Sequence, residues 1–151
     1  MNNYLHIKKL LYKACENFVA EQNKTINDII SSNKKALLSE IKSSAGDKHE
    51  TGRAMLQLEM EKASQQLSVI VEMKAILNRI TFENSSDIIR LGSLIITDKG
   101  NYYLAISAGK ITIENNNYYA VSTSSPIGKQ LLGKKVGAIL PFNDAEILEV
   151  N

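Results

Sequence analysis

The residues of this chain best placed to do chemistry stand together in Gly46-Asp47-Lys48-His49-Glu50-Thr51-Gly52, where two carboxylates lie three residues apart. At the start of a helix that spacing puts Asp47 and Glu50 on one side, within reach of one small cation. Alone they make a poor magnesium site, because Mg²⁺ takes octahedral oxygen coordination and keeps several waters or phosphate oxygens. They make a good half-site. Held against another protein's active centre, they could complete a metal's coordination and position a water for attack on a phosphodiester. Asp-x-x-Glu is also a capping box, with Asp47 accepting from the Glu50 amide and Glu50 reaching back. Spacing alone favours the cap, and a cap still displays its acidic edge. His49 reads as a solvated neighbour rather than a ligand.

Cys15 is the other reactive side chain. A single cysteine makes neither an internal disulfide nor a Cys-based zinc site, which suits a reducing compartment. As the nucleophile of an acyl-condensing or similar enzyme it would need a base or a helix N-terminus to lower its pKa. It falls instead in mid-helix beside Ala14 and Phe18, with His6 and His49 near opposite ends of the helical region. It reads as a small buried apolar residue. Tyr102-Tyr103 and Tyr118-Tyr119 could stack on bases, but paired aromatics on facing strands more often support a sheet.

Two kinds of chain position these residues. The first 91 residues hold no proline and only Gly46 and Gly52, while the last 60 hold both prolines and the other six glycines. Before residues 82 to 91 the apolar positions have helical spacing. Ile7, Leu11, Ala14 and Phe18 step by four, three and four, and Ile26, Ile30, Leu37 and Ile41 resume the stripe. Met55, Leu58, Val69, Met73, Ile76 and Ile80 form the second, with Glu21, Lys62 and Gln65 as interruptions. Narrow stripes of this kind suit two helices packed on each other. The chain reverses at Ser43-Ser44-Ala45-Gly46-Asp47, which predicts a hairpin over 1–81 with its tip near 44–52. Some 30 paired residues would make a rod of roughly 45 Å, and a coiled coil used for dimerisation or as a spacer is the plainest use of it.

The second half alternates between strand formers and turns. Residues 91–97 and 101–107 flank Asp98-Lys99-Gly100, and residues 110–114 and 118–122 flank Asn115-Asn116-Asn117, predicting two hairpins. Ser125-Pro126 starts one short helix that Gly133 ends, and a last strand pair, 138–142 with 145–150, turns at Asn143-Asp144. The expected fold class is α+β, a helical hairpin followed by an antiparallel sheet domain with one helix over 91–151.

Composition narrows the function. With 151 residues, 44% hydrophobic and 23% charged, the chain holds one ordinary domain or two small ones and is not disordered throughout. Its apolar runs are far short of the roughly 20 residues that span a bilayer, and the N-terminus has no export signal. A soluble, cytoplasmic protein is expected, with no membrane partner. Net charge is +2, and no segment is basic enough for direct DNA binding. A protein partner fits better.

The motifs together resemble the Gre family of bacterial transcript cleavage factors. Residues 44–52 look like that family's coiled-coil tip, in which Gly-Asp is followed three residues after the Asp by Glu. Ser125-Pro126-Ile127-Gly128-Lys129-Gln130-Leu131-Leu132-Gly133-Lys134-Lys135-Val136-Gly137 is similar to its C-terminal signature, and Ala145-Glu146-Ile147-Leu148-Glu149-Val150 to its last strand. The order of parts agrees over nearly the whole chain. The resemblance implies a coiled-coil hairpin that enters the secondary channel of RNA polymerase and an FKBP-like domain on the channel's rim. Asp47 and Glu50 would share a Mg²⁺ with the polymerase and stimulate cleavage of backtracked RNA. Such a factor is an accessory to transcription elongation rather than an enzyme, meets nucleic acid only through the transcription complex, and needs no cofactor of its own.

This chain also departs from the family pattern. Lys48, Thr51, Arg53 or Ala54, and Met55 stand where the family has an apolar residue, Asn, a further acid and an aromatic. Lys48 and Arg53 would favour the ionised carboxylates yet compete with metal for them. A non-cleaving regulator that only occupies the channel is the alternative. An FKBP-like isomerase or chaperone is a weaker one, since that activity needs an aromatic-lined pocket and the chain has no Trp and three Phe.

Overall fold

The computed structural model describes residues 2–42, 48–83 and 85–151. Its class is α+β. Two long helices, α1 (Asn2–Lys42) and α2 (Lys48–Asn78), precede five strands, β1 (Leu94–Thr97), β2 (Gly100–Ala105), β3 (Gly109–Ile113), β4 (Asn116–Ser122) and β5 (Ile147–Val150), with one short helix, α3 (Pro126–Leu131), before β5. Among the described residues no helix is long and apolar enough to cross a membrane. The chain divides into two compact units, Met1–Phe18 with Lys74–Asn151, and Val19–Met73.

The first unit is built around β2. Tyr103, Leu104, Ala105 and Ile106 are all inaccessible to solvent, a continuous run that marks a strand covered on both faces. Toward one face Tyr102 and Leu104 join Ile89, Ile95, Leu131, Leu140, Ala145 and Ile147 in a single core. Toward the other, Tyr103 lies close to Tyr12 and Cys15 of α1, below the buried row Ile7, Leu11, Cys15. The Tyr12 hydroxyl donates to the Leu77 carbonyl of α2 at 3.1 Å, and its ring meets Phe82 edge-on.

The sheet is mixed, not antiparallel throughout as expected. Its order is β3-β4-β2-β1-β5, and β2 pairs with β4 in parallel, Tyr102 opposite Tyr119 and Leu104 opposite Val121. Burial explains this. β3 carries exposed or half-exposed side chains along its whole length, whereas β4 buries Tyr118 and Ala120. The more apolar strand takes the inner place beside β2, and β3 folds back antiparallel onto β4 as an edge. The β3–β4 turn is also one residue earlier than expected. Ile113 pairs with Asn116, leaving Glu114 and Asn115 at φ 51° and 68°, the two left-handed positions of a type I′ turn. The expected strand at 138–142 is reduced to one bridge, Ile139 with Glu146, because Pro141 has no amide to continue a ladder.

Helix α3 follows its sequence signals closely. Ser125 Oγ accepts from the Gly128 amide at 3.0 Å and donates to the Ser122 carbonyl at 2.7 Å, with Pro126 at the first helical position. A Cβ on Gly128 would overlap that same Ser122 carbonyl oxygen. Only glycine lets the helix sit against the end of β4.

In the second unit the buried and half-buried positions of α1 are Val19, Asn23, Ile26, Ile30, Asn33, Ala36, Leu37 and Glu40, which apart from Ala36 alternate by four and three. On α2 they are Gly52, Leu56, Met60, Ala63, Leu67, Ile70 and Met73 among the described side chains. Residues of both helices, Ile26 and Ile29 with Val69 and Ile70 among them, line one groove. The expected α2 stripe holds in its last part, where Met73, Ile76 and Ile80 are half-buried or buried, and fails before it. Met55, Leu58 and Val69 are 60%, 65% and 53% exposed, because the sequence offers apolar residues on a second face that spacing alone does not reject. Glu21, Lys62 and Gln65 are exposed and do not interrupt the seam. Asn33 does, with its Nδ2 buried and no hydrogen-bond partner.

Three stability changes follow. Gly128→Ala forces α3 off β4 and costs about 3 kcal/mol, at the upper end of overpacking, against about 1 kcal/mol for Ser125→Ala. Asn33→Leu removes an unsatisfied buried amide and raises stability by about 1 kcal/mol. Urea unfolding monitored by circular dichroism measures all three.

Candidate functional site

The acidic motif falls where the two long helices are joined. α1 ends at Lys42 and α2 begins at Lys48, and Asp47 lies outside the described residues. In the sequence it holds the place of a helix cap, the residue before the first helical one. Glu50 is the third residue of α2, in the first turn, where free backbone amides favour a carboxylate. The side chains of Lys48, His49, Glu50 and Thr51 are also outside the described set, so their backbone course is what can be stated. Arg53, Ala54 and Met55 follow on α2 as exposed residues.

One carboxylate near this region was not foreseen. Glu40 of α1 is half-buried and lies beside Gly52 of α2, where an added Cβ would stand 3.2 Å from its Oε1. Glycine at 52 leaves room for that carboxylate against the second turn of the helix. The signal was in the spacing, because Glu40 follows Val19, Ile26 and Asn33 by sevens and so belongs to the seam. Among the described residues no three or more His, Cys, Asp or Glu gather as a metal site. Asp47 and the Glu50 carboxylate are not in that set.

The first unit offers surfaces rather than a catalytic cluster. Leu132, Val136, Ile139 and Leu148 are exposed apolar residues around α3 and β5. Val136 and Leu148 share a cavity of about 590 Å³ with Tyr4 and Phe82. Tyr102, Tyr119 and Phe142 pack ring against ring, with centroids 6.1 Å apart in both pairs. These aromatics fill the sheet's face and support it. His6 meets Glu114 at 3.4 Å on the surface.

Cys15 is buried, and desolvation pushes its thiol up to about 12. No nucleophile is poised there. No protein-family model matches the sequence, and no curated protein matches it.

The thiol gives a direct check. Burial pushes its pKa up to about 12 from an ordinary 9.0, so at pH 8 the native protein holds far less thiolate than the unfolded chain. Ellman's reagent is expected to label Cys15 slowly in buffer and rapidly in urea. The raised pKa adds stability that is intact below pH 9 and is lost as pH rises toward 12. Cys15→Ala removes the thiol's share of that slope and leaves the share of the buried tyrosines, Tyr12 and Tyr103 among them, whose pKa values desolvation also raises.

Proposed function

We propose that this chain is a Gre-like transcription elongation factor, which binds RNA polymerase through the secondary channel and brings Asp47 and Glu50 near the active centre to stimulate cleavage of backtracked RNA. The observation that carries the reading is the position of the motif. Gly46-Asp47 and Glu50 occupy the junction of two helices of 41 and 31 residues, where a turn between paired helices would display them. The alternation of four and three along α1 and α2 supports a coiled-coil hairpin. The groove shared by residues 22–29 and 66–73 supports an antiparallel pairing.

The C-terminal part supports an FKBP-like domain acting as the anchor. Its Ser125-Pro126 cap and obligatory Gly128 explain physically why that stretch resembles the family's signature. The exposed Leu132, Val136, Ile139 and Leu148 give it an apolar surface for a protein partner. Two carboxylates suit the oxygen preference of Mg²⁺ as a half-site, and the remaining ligands would come from the polymerase and the RNA phosphate. The hydrolysis would then be the polymerase's, with this chain's part limited to holding charge and a water in place.

Stalled, backtracked elongation complexes test this. The chain is expected to accelerate release of the RNA 3′ fragment. Asp47→Asn with Glu50→Gln returns cleavage to the unstimulated rate while polymerase binding persists. Binding without acceleration by the unaltered chain would leave a channel-occupying regulator. No binding would overturn the reading.

A further inference from the structure

Gly52 stands inside α2, as its fifth residue, where glycine weakens a helix that alanine would strengthen. The two long helices, residues 2–42 and 48–78, hold no other glycine. Its neighbour on α1 accounts for it. A Cβ added at 52 would stand 3.2 Å from Oε1 and 3.3 Å from Cδ of Glu40, closer than the roughly 3.5 to 4.0 Å at which packed atoms settle. The carboxylate thus fills the space that a side chain at 52 would take.

Glu40 is held in its turn. It is half-buried, continues the seven-residue spacing of Val19, Ile26 and Asn33 along the seam, and stands two residues before α1 ends at Lys42. It is engaged, not free. On α2, Gly52 and then Leu56 are the first half-buried positions among those described, so position 52 faces α1. At 3.6 residues per turn, position 50 stands about 200° round the helix axis from position 52, on the side of α2 turned away from α1. Which side of the hairpin carries position 50 therefore depends on how the start of α2 is rotated about its own axis.

We propose that Glu40 is a positioning residue, whose carboxylate, seated where Gly52 leaves room, fixes the rotation of the first turns of α2 and so the side on which Glu50 is carried. Glycine bares the helix backbone at that point, where a polar carboxylate is a better neighbour than an aliphatic chain. A methyl group at 52 makes Glu40 give way by a few tenths of an ångström. That shift is small for packing, but a group that must meet a reacting centre is sensitive to displacements of this order. The consequence for RNA cleavage rests on the function proposed above, whereas the contact and its effect on α2 do not.

Two sets of measurements on the full chain test it. In the first, spin labels on Leu38→Cys and Met55→Cys, both exposed positions, in a Cys15→Ala background report the distance between the helices by electron paramagnetic resonance without polymerase. Gly52→Ala is expected to shift or broaden that distance, and adding Glu40→Asp, one methylene shorter, to restore it. Gly52→Ala is also expected to raise the Tm less in the parent chain than in Glu40→Ala, where nothing opposes the gain in helix propensity. An unchanged distance, or equal gains in Tm, overturns the proposal. In the second, on backtracked complexes, Gly52→Ala is expected to lower the stimulated cleavage rate at saturation about threefold or more with the half-saturating concentration unchanged, and Glu40→Asp to restore the rate. A changed distance with an unchanged cleavage rate, or a change in the half-saturating concentration alone, overturns the positioning role. No stimulation by the parent chain overturns the proposed function instead, and the distance and Tm measurements still decide whether Glu40 fixes α2.

Discussion

The first unit depends on keeping β2 dry on both faces. Tyr102 and Leu104 point into the core that α3 and β5 complete, and Tyr103 points toward α1. A strand with no solvent face needs cover on each side and two apolar neighbours in the sheet. β1 supplies one neighbour with Leu94 and Ile95 and β4 the other with Tyr118 and Ala120. The edges are left to β3, exposed or half-exposed along its length, and to β5, which buries Ile147 and leaves Leu148 and Glu149 exposed. The start of α1, with Ile7, Leu11 and Cys15 buried, is part of this unit and not a separate helical appendage.

The second unit obeys a different constraint. Two helices there share one seam, so each buries a stripe and leaves the rest of its surface wet. Val19, Ile26, Asn33 and Glu40 recur by sevens on α1, as Leu56, Ala63 and Ile70 do on α2. Asn33 and Glu40 put polar groups into that seam at a cost in stability. Buried polar groups at such positions commonly fix register, and register decides which residues of a connecting turn are presented.

How much of this was legible in the sequence depended on the signal. Capping chemistry is local, so Ser125, Pro126 and Gly133 located α3 to within a residue. Helical periodicity found most of the buried face of α1, with Ile7, Leu11, Ile26 and Ile30 on it, although Ile41, expected on the same stripe, is 56% exposed. It misplaced the earlier part of the stripe on α2, where Met55, Leu58 and Val69 are exposed while Ala63 is buried. A small residue in a seam carries little hydrophobic signal of its own. The parallel pairing of β2 with β4 was out of reach, since it follows from competition between β3 and β4 for one place in the sheet. The candidate site is the reverse case. Asp47 and Glu50 are legible as a motif in the sequence, and Asp47 and the Glu50 side chain lie outside the described residues.

The proposed function rests on near-neutral charge, exposed apolar side chains around α3 and an acidic motif lying in the sequence between two long helices. The most direct measurement is proximity. Cys15 is buried and poorly reactive, so His49→Cys provides one accessible thiol beside Asp47 and Glu50 for a short photocrosslinker. In a backtracked elongation complex, crosslinks are predicted to the catalytic subunit of RNA polymerase and to the 3′ end of the RNA, and to disappear when the complex is not backtracked or the RNA is already trimmed. Crosslinks confined to the outside of the polymerase, or none at all, would contradict a role for this chain at the active centre.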